Sequence, residues 1–106
     1  MTTKHIAILL LVSNAKMAND YTLIKIIDRL WFPSNLTENI NFLVDQGYIE
    51  PFMHKQYNQD YKLTEKAKAF FINTDVFEIL DKEEVFKGQY HLEKEVMQKL
   101  YSRIIE

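Results

Sequence analysis

The sequence predicts a mostly helical α+β domain with one small β-hairpin. Apolar residues recur at helical spacing through most of the chain. Its 106 residues include only two glycines and two prolines, too few to punctuate a succession of short strands. The one stretch that reads extended, then polar, then extended again runs from Tyr48 to Leu63.

The length fits one small domain with room for an additional terminal helix. With 47% hydrophobic and 26% charged residues, the chain can build a core and is not compositionally disordered. The absence of cysteine excludes disulfides and thiolate metal ligands. A formal net charge of −2 means that the distribution of charge, not its total, must decide whether an acidic partner is accommodated. Lys4, the apolar run Ile6 to Val12 and Ser13-Asn14-Ala15 loosely imitate a secretory leader. That run is at the short end for a leader and passes directly into patterned sequence, so a buried first helix and a cytoplasmic location are expected. No run approaches the ~20 apolar residues of a membrane span, and no membrane partner is expected.

A first helix is expected over Thr3 to Met17. It is apolar nearly all round and so belongs in the middle of the core. Asn19-Asp20 interrupts it. Thr22 then caps a second helix with Leu23, Ile26, Ile27 and Leu30 inward and Lys25, Asp28 and Arg29 outward. Pro33 disfavours helical geometry at Phe32 and suits the first turn of a new helix, so a third helix is expected from there to about Gln46. Leu36, Ile40, Leu43 and Val44 form its inward stripe. Asn35, Thr37, Glu38, Asn41 and Asp45 point away. Gly47 stands where a helix end needs a left-handed residue.

Tyr48 to Met53 reads as a strand, with Pro51 marking an edge position or a bulge. His54 to Asp60 reads as a polar loop of several residues, and Tyr61-Lys62-Leu63 as the returning strand. Thr64 caps a helix containing Ala67, Phe70 and Phe71, which continues or restarts through Val76, Phe77, Ile79 and Leu80. Asp81 to Glu84 is a solvated charge run. The segment Leu92 to Ile105 repeats Leu92, Val96, Leu100 and Ile104, with Met97 and Tyr101 beside them, as a helix with one apolar stripe.

The order helix, helix, turn, helix, glycine, strand, polar loop, strand, capped helix resembles the MarR/PadR-like winged helix-turn-helix superfamily. The resemblance is carried by Thr22 to Leu30, by Ser34 to Ile40, by Phe42-Leu43-Val44-Asp45-Gln46-Gly47-Tyr48-Ile49, and by Tyr61-Lys62-Leu63-Thr64-Glu65-Lys66-Ala67. Family members end their recognition helix on a leucine, a glycine four residues later and two apolar residues, and enter the next helix through Tyr-x-Leu-Thr. The match covers about half the chain and rests on order and spacing, since no single phrase is specific.

That resemblance implies a winged-helix domain over residues 1–80, followed by a C-terminal helical extension over 81–106. It implies a dimeric, DNA-binding transcriptional regulator that contacts double-stranded DNA through Ser34, Asn35, Thr37, Glu38 and Asn41 on the third helix. His54, Lys55, Gln56 and Tyr57 would make the wing's contacts. The stripe Leu92, Val96, Leu100, Ile104 has two readings, packing on its own domain or pairing with a second copy, and the homodimer is favoured. The chain departs from the family in its cations, on the third helix and in the wing, where Lys55 is the one lysine or arginine and His54 is mostly neutral at pH 7. Its third helix carries no lysine or arginine between Pro33 and Gln46 but two carboxylates, Glu38 and Asp45. Because phosphate contact supplies most of such affinity, a winged-helix protein-binding adaptor stands as the alternative function.

Other chemistries find little support. His5, His54 and His91 are scattered without carboxylates at metal-ligand spacing, and Asp81 to Glu84 lacks the glycine of a calcium loop. No glycine-rich phosphate loop and no nucleophile beside a base occur, so no cofactor and no catalysis are expected.

Overall fold

The computed structural model describes residues 1–55, 58–86 and 93–106, with the backbone alone at 53–55. Helix α1 spans Thr3–Val12 and is buried on every side from His5 to Val12, as its unbroken apolar sequence requires. It stops five residues short of Met17. The Ser13 hydroxyl donates to the Leu10 carbonyl at 2.5 Å and the Asn14 side chain accepts from the Lys16 amide at 2.9 Å, so short polar side chains offer the backbone an alternative to the helix.

Helix α2 covers Asp20–Leu30 and is capped by Asn19, whose Oδ1 accepts the Thr22 amide at 2.9 Å. Thr22 is therefore inside the helix and not its cap. Leu23 and Ile27 are fully buried, with Ile26 and Leu30 packed at the margin of the core. Helix α3 runs over Leu36–Asp45 and starts later than Pro33 suggests. Pro33 lies before it in a cis peptide with Phe32, and Asn35 takes a left-handed conformation (φ 52°) at the N-cap. Asparagine tolerates that region better than most residues. Asp28 Oδ1 accepts the Ser34 amide at 3.1 Å, fixing the turn between α2 and α3.

Gly47 adopts φ 79° and ends α3 as expected. Its amide donates to Val44 O at 3.0 Å and the Tyr48 amide to Leu43 O at 2.9 Å, the paired bonds of a Schellman cap. Strands β1 (Ile49–Lys55) and β2 (Asn58–Leu63) form an antiparallel hairpin in which Ile49 opposes Leu63 and Lys55 opposes Asn58. The strands reach further than the polar sequence His54 to Asp60 implies. Their register shifts between Pro51 and His54, which places the irregularity next to the proline that cannot donate to the ladder. A bridge between Asn19 and Asp60, reinforced by the Tyr61 amide on Ala18 O at 2.9 Å, fastens the hairpin to the segment joining α1 and α2.

Helix α4 (Glu65–Asn73) is capped by Thr64, whose hydroxyl also donates to the Gly47 carbonyl. Asp75 caps a separate helix α5 (Val76–Lys82), and α6 covers Lys94–Ile105. The molecule is mostly α with one small hairpin, in a winged-helix layout with an extra C-terminal helix. Helix α1 sits among α2, α5, α6 and β2, while α6 also packs on α4.

The C-terminal segment does not stand apart from this core. Val85, Met97, Leu100 and Ile104 belong to the same buried cluster as α1, and the Tyr101 hydroxyl donates to Phe71 O at 3.2 Å. Among the described residues, no helix is long and apolar enough to cross a membrane.

Candidate nucleic-acid interface

The exposed face of α3 is built by three constraints. Leu36, Ile40 and Leu43 are drawn into the core, which turns Thr37, Glu38, Asn41 and Asp45 to solvent. The turn before it is held from behind, because Lys4 Nζ donates to Ser34 O at 2.9 Å and Asn39 Nδ2 donates to the carbonyls of Ser34 (3.2 Å) and Asn35 (2.9 Å). The far end is fixed by the Gly47 cap and by Lys66, whose ammonium donates to Gln46 O and lies 4.5 Å from the Tyr48 ring centroid.

His5 braces the middle of the helix from beneath, its ring stacked on Phe42 with centroids 4.4 Å apart. Burial, the N-terminal ammonium and Lys4 lower its pKa from the ordinary 6.5 against the opposing hydrogen bond with Asn39. Its Nδ1 also accepts the Thr2 amide at 3.1 Å within the capping box that starts α1, a bond available only while that nitrogen carries no proton.

Between α2 and α3 runs a shallow cleft of about 280 Å³. Thr37 and Asn41 line it from α3, Tyr21 and Ile24 from α2, and Tyr61 from the hairpin. Thr37 and Asn41 are one helical turn apart, and neither side chain forms a hydrogen bond with another described residue. Lys25 stands beside this cleft with its ammonium 4.1 Å above the Tyr21 ring. At the cleft's edge, the Tyr61 hydroxyl donates to Asp20 Oδ1 at 2.7 Å. Burial and the adjoining Asp20 carboxylate hold that phenol above its usual range, so it remains a donor.

The residues expected to face a duplex are only partly brought together. Asn35, Thr37, Glu38 and Asn41 are exposed on one side of the molecule. Ser34 is not, because its side chain is 3% exposed and packed under the turn. His54 and Lys55 lie on β1, opposite Gln59 and Asn58, while Gln56 and Tyr57 fall outside the described residues.

The stripe expected to dimerise divides as well. Leu100 and Ile104 are buried against α1 and α4 of their own domain, Val96 is 43% exposed, and Leu92 falls outside the described residues. Packing on its own domain is therefore the use made of Leu100 and Ile104. Among the described residues, no group of three histidines or carboxylates gathers at metal-binding distance.

Sequence reasoning missed the α2 contribution to the cleft. Tyr21 and Ile24 are exposed apolar residues. Their signal was present in the sequence: on a helical projection Ile24 falls to one side of the buried pair Leu23 and Ile27, at the edge of the inward stripe. Neither a scan against protein-family models nor searches of curated proteins and of solved structures returns a match.

Proposed function

We propose that the chain is a winged-helix transcriptional regulator of the MarR/PadR-like type that reads double-stranded DNA through the exposed face of α3. The observation that carries this reading is the pair Thr37 and Asn41, which line the α2–α3 cleft with no side-chain hydrogen bond to another described residue. Asparagine can pair in bidentate fashion with adenine, and the neighbouring Glu38 carboxylate can accept from the cytosine amino group. Phosphate contact falls to flanking cations, Lys25 on α2 and Lys55 on the hairpin. Such a complex is weak as a monomer, and two copies acting together would give it useful affinity in the cytoplasm. A homodimer would rest on apolar side chains that α6 leaves exposed, Val96 and Ile105, and not on Leu100 or Ile104.

A second reading is supported by the charge of the same face. With no lysine or arginine from Pro33 to Gln46 and with Tyr21 and Ile24 exposed next to it, the cleft suits a protein segment as an adaptor would bind it.

Titrating the protein into a pool of random duplexes at several salt concentrations separates the readings, with its mass in solution recorded. The DNA reading expects affinity to fall with salt at a log–log slope of about −0.9 per phosphate contact. Lys25→Gln lowers that slope by about one contact, and Asn41→Ala costs about 1–3 kcal/mol of discrimination between selected and random sequence. Absence of binding at low salt, or binding unmoved by both variants, overturns it and favours the adaptor. Asn35→Ala is a poorer probe, because the left-handed backbone at that position confounds base contact with folding.

A further inference from the structure

Two attachments join the first turn of α1 to the turn that starts α3. Lys4 Nζ donates to Ser34 O at 2.9 Å. His5 reaches the same place through Asn39, whose side chain hydrogen-bonds the imidazole and whose Nδ2 donates to the carbonyls of Ser34 and Asn35. These bonds matter because α3 does little to close its own N-terminus. Asn35, the N-cap, is left-handed and its side chain makes no capping bond.

The imidazole satisfies its neighbours in one protonation state. Asn39 spends Nδ2 on the two carbonyls and so meets the ring with Oδ1, an acceptor, which calls for a proton on Nε2. Nδ1 faces the Thr2 amide at 3.1 Å and the Thr2 hydroxyl oxygen at 3.0 Å, and the amide can only donate. A proton on Nδ1 therefore sets two donors against each other. It also claims the Thr2 Oγ1 that accepts the His5 amide at 3.3 Å as the cap of α1. The stack on Phe42 holds the ring in place, so what yields is the first turn of α1, and Lys4 lies in it.

The surroundings offer the added charge no counter-ion. The N-terminal ammonium and Lys4 face the ring from its own element. From α3 it meets Asn39 and Phe42, neither of them charged. Asp28 of α2 is engaged with the Ser34 amide, and Glu83, just after α5, lines the hollow that Lys4 and Asn39 share. Among the described residues no carboxylate forms an ion pair with His5.

From this geometry we infer that the first turn of α1 is a proton-released brace: a proton on His5 opens it, frees the turn at Ser34 and Asn35, and thereby regulates what the α3 face binds. The regulation rests on the reading of α3 as the DNA-binding face; the brace itself does not.

The test follows the isotopically labelled full chain by NMR from about pH 7.5 to about pH 5, the range in which an ordinary histidine changes charge. The His5 ring is expected to titrate below the ordinary 6.5, and the amides of Ser34, Asn35 and Asn39 to move with the same midpoint while Leu80 and Leu100 stay still. Across that range, discrimination between a selected and a random duplex should fall about fivefold or more, the worth of one aligned base contact. His5→Gln offers an amide N–H to Asn39 and an oxygen to Thr2 but takes no proton, so both transitions should vanish. Asn39→Ala, at a half-buried position, should keep the ring's titration and diminish the movement of Asn35, which Lys4 does not hold. His54→Gln, on β1, should leave the amide transition in place.

Amides of Ser34 and Asn35 that stay flat while the His5 ring titrates overturn the brace, as does a transition that persists in His5→Gln. Movement of Leu80 and Leu100 together with them marks global unfolding and overturns it too. Unchanged discrimination while the amides move overturns the regulation. If no duplex binds at any pH but the amide transition is present, the brace is supported and the DNA reading alone falls.

Discussion

The Tyr61 hydroxyl, near the middle of β2, donates a 2.7 Å hydrogen bond to the carboxylate of Asp20 in the first turn of α2. With the Tyr61 amide on Ala18 O and the Asn58 side chain on the Tyr21 amide (2.9 Å each), it ties the hairpin to the helix that forms one wall of the α3 cleft. Tyr61→Phe removes a hydrogen bond to a charged acceptor and leaves Asp20 short of a partner. The variant is expected to lose about 1.5–3 kcal/mol of stability. Urea unfolding should show a lower midpoint at unchanged slope.

Gly47 isolates the cost of a left-handed backbone from that of crowding. A Cβ at that position meets nothing nearer than Lys66 Cδ at 3.9 Å, an ordinary contact. Gly47→Ala is therefore expected to destabilise by about 1–2 kcal/mol through φ alone. Gly47→Asn should cost less than alanine despite its larger side chain, because asparagine is the residue that best tolerates this region after glycine. A ranking by size in thermal unfolding would refute the backbone explanation.

His5 predicts a pH dependence with a definite sign. Its pKa in the folded chain is below the 6.5 of the unfolded chain, so the folded state binds fewer protons between those values. Its contribution to stability is complete above about pH 6.5 and is lost as pH falls through the lower folded value. Structurally, protonation of Nδ1 breaks the bond from the Thr2 amide and charges a ring packed on Phe42. Denaturation midpoints measured from pH 7.5 downward should decline below about 6.5, and His5→Gln should flatten that decline.

Leu100 and Val96 share a helix but not a fate. Leu100→Ala empties a buried position and is expected to cost about 2–5 kcal/mol. Val96→Ala alters a side chain that remains 43% exposed and should change stability by about 0.5 kcal/mol or less. Equal effects of the two would contradict the intramolecular packing of α6.

Much of the fold was legible because it rests on local chemistry. Gly47 and Thr64 terminate and start helices for reasons contained in their own side chains, and the stripe Leu36, Ile40, Leu43 has only one helical face to fall on. What escaped were competitions between neighbours and choices of partner. Ser13 and Asn14 draw the chain out of α1 early; Asn19 outcompetes Thr22 as a cap; Asn35 carries the positive φ that delays α3. An amphipathic stripe states that it will be covered and not by what, so α6 reads the same whether it packs inward or pairs. Within the candidate site, Thr37, Glu38 and Asn41 followed from periodicity. Ser34 did not, since its burial depends on Lys4 and Asn39, elements away in sequence or hidden behind the turn.

A helix without a solvent face also constrains how the molecule assembles. Helix α1 precedes its neighbours in the chain, and the surfaces that surround it come from α2, β2, α5 and finally α6, more than eighty residues later. Closing that interval is an entropic cost met before the burial rewards it, so this small, largely helical chain should fold more slowly than a bundle held by neighbouring helices. Until Met97, Leu100 and Ile104 arrive, the apolar surface of α1 has no complete enclosure, and a shortened chain ending before α6 would present it to other molecules.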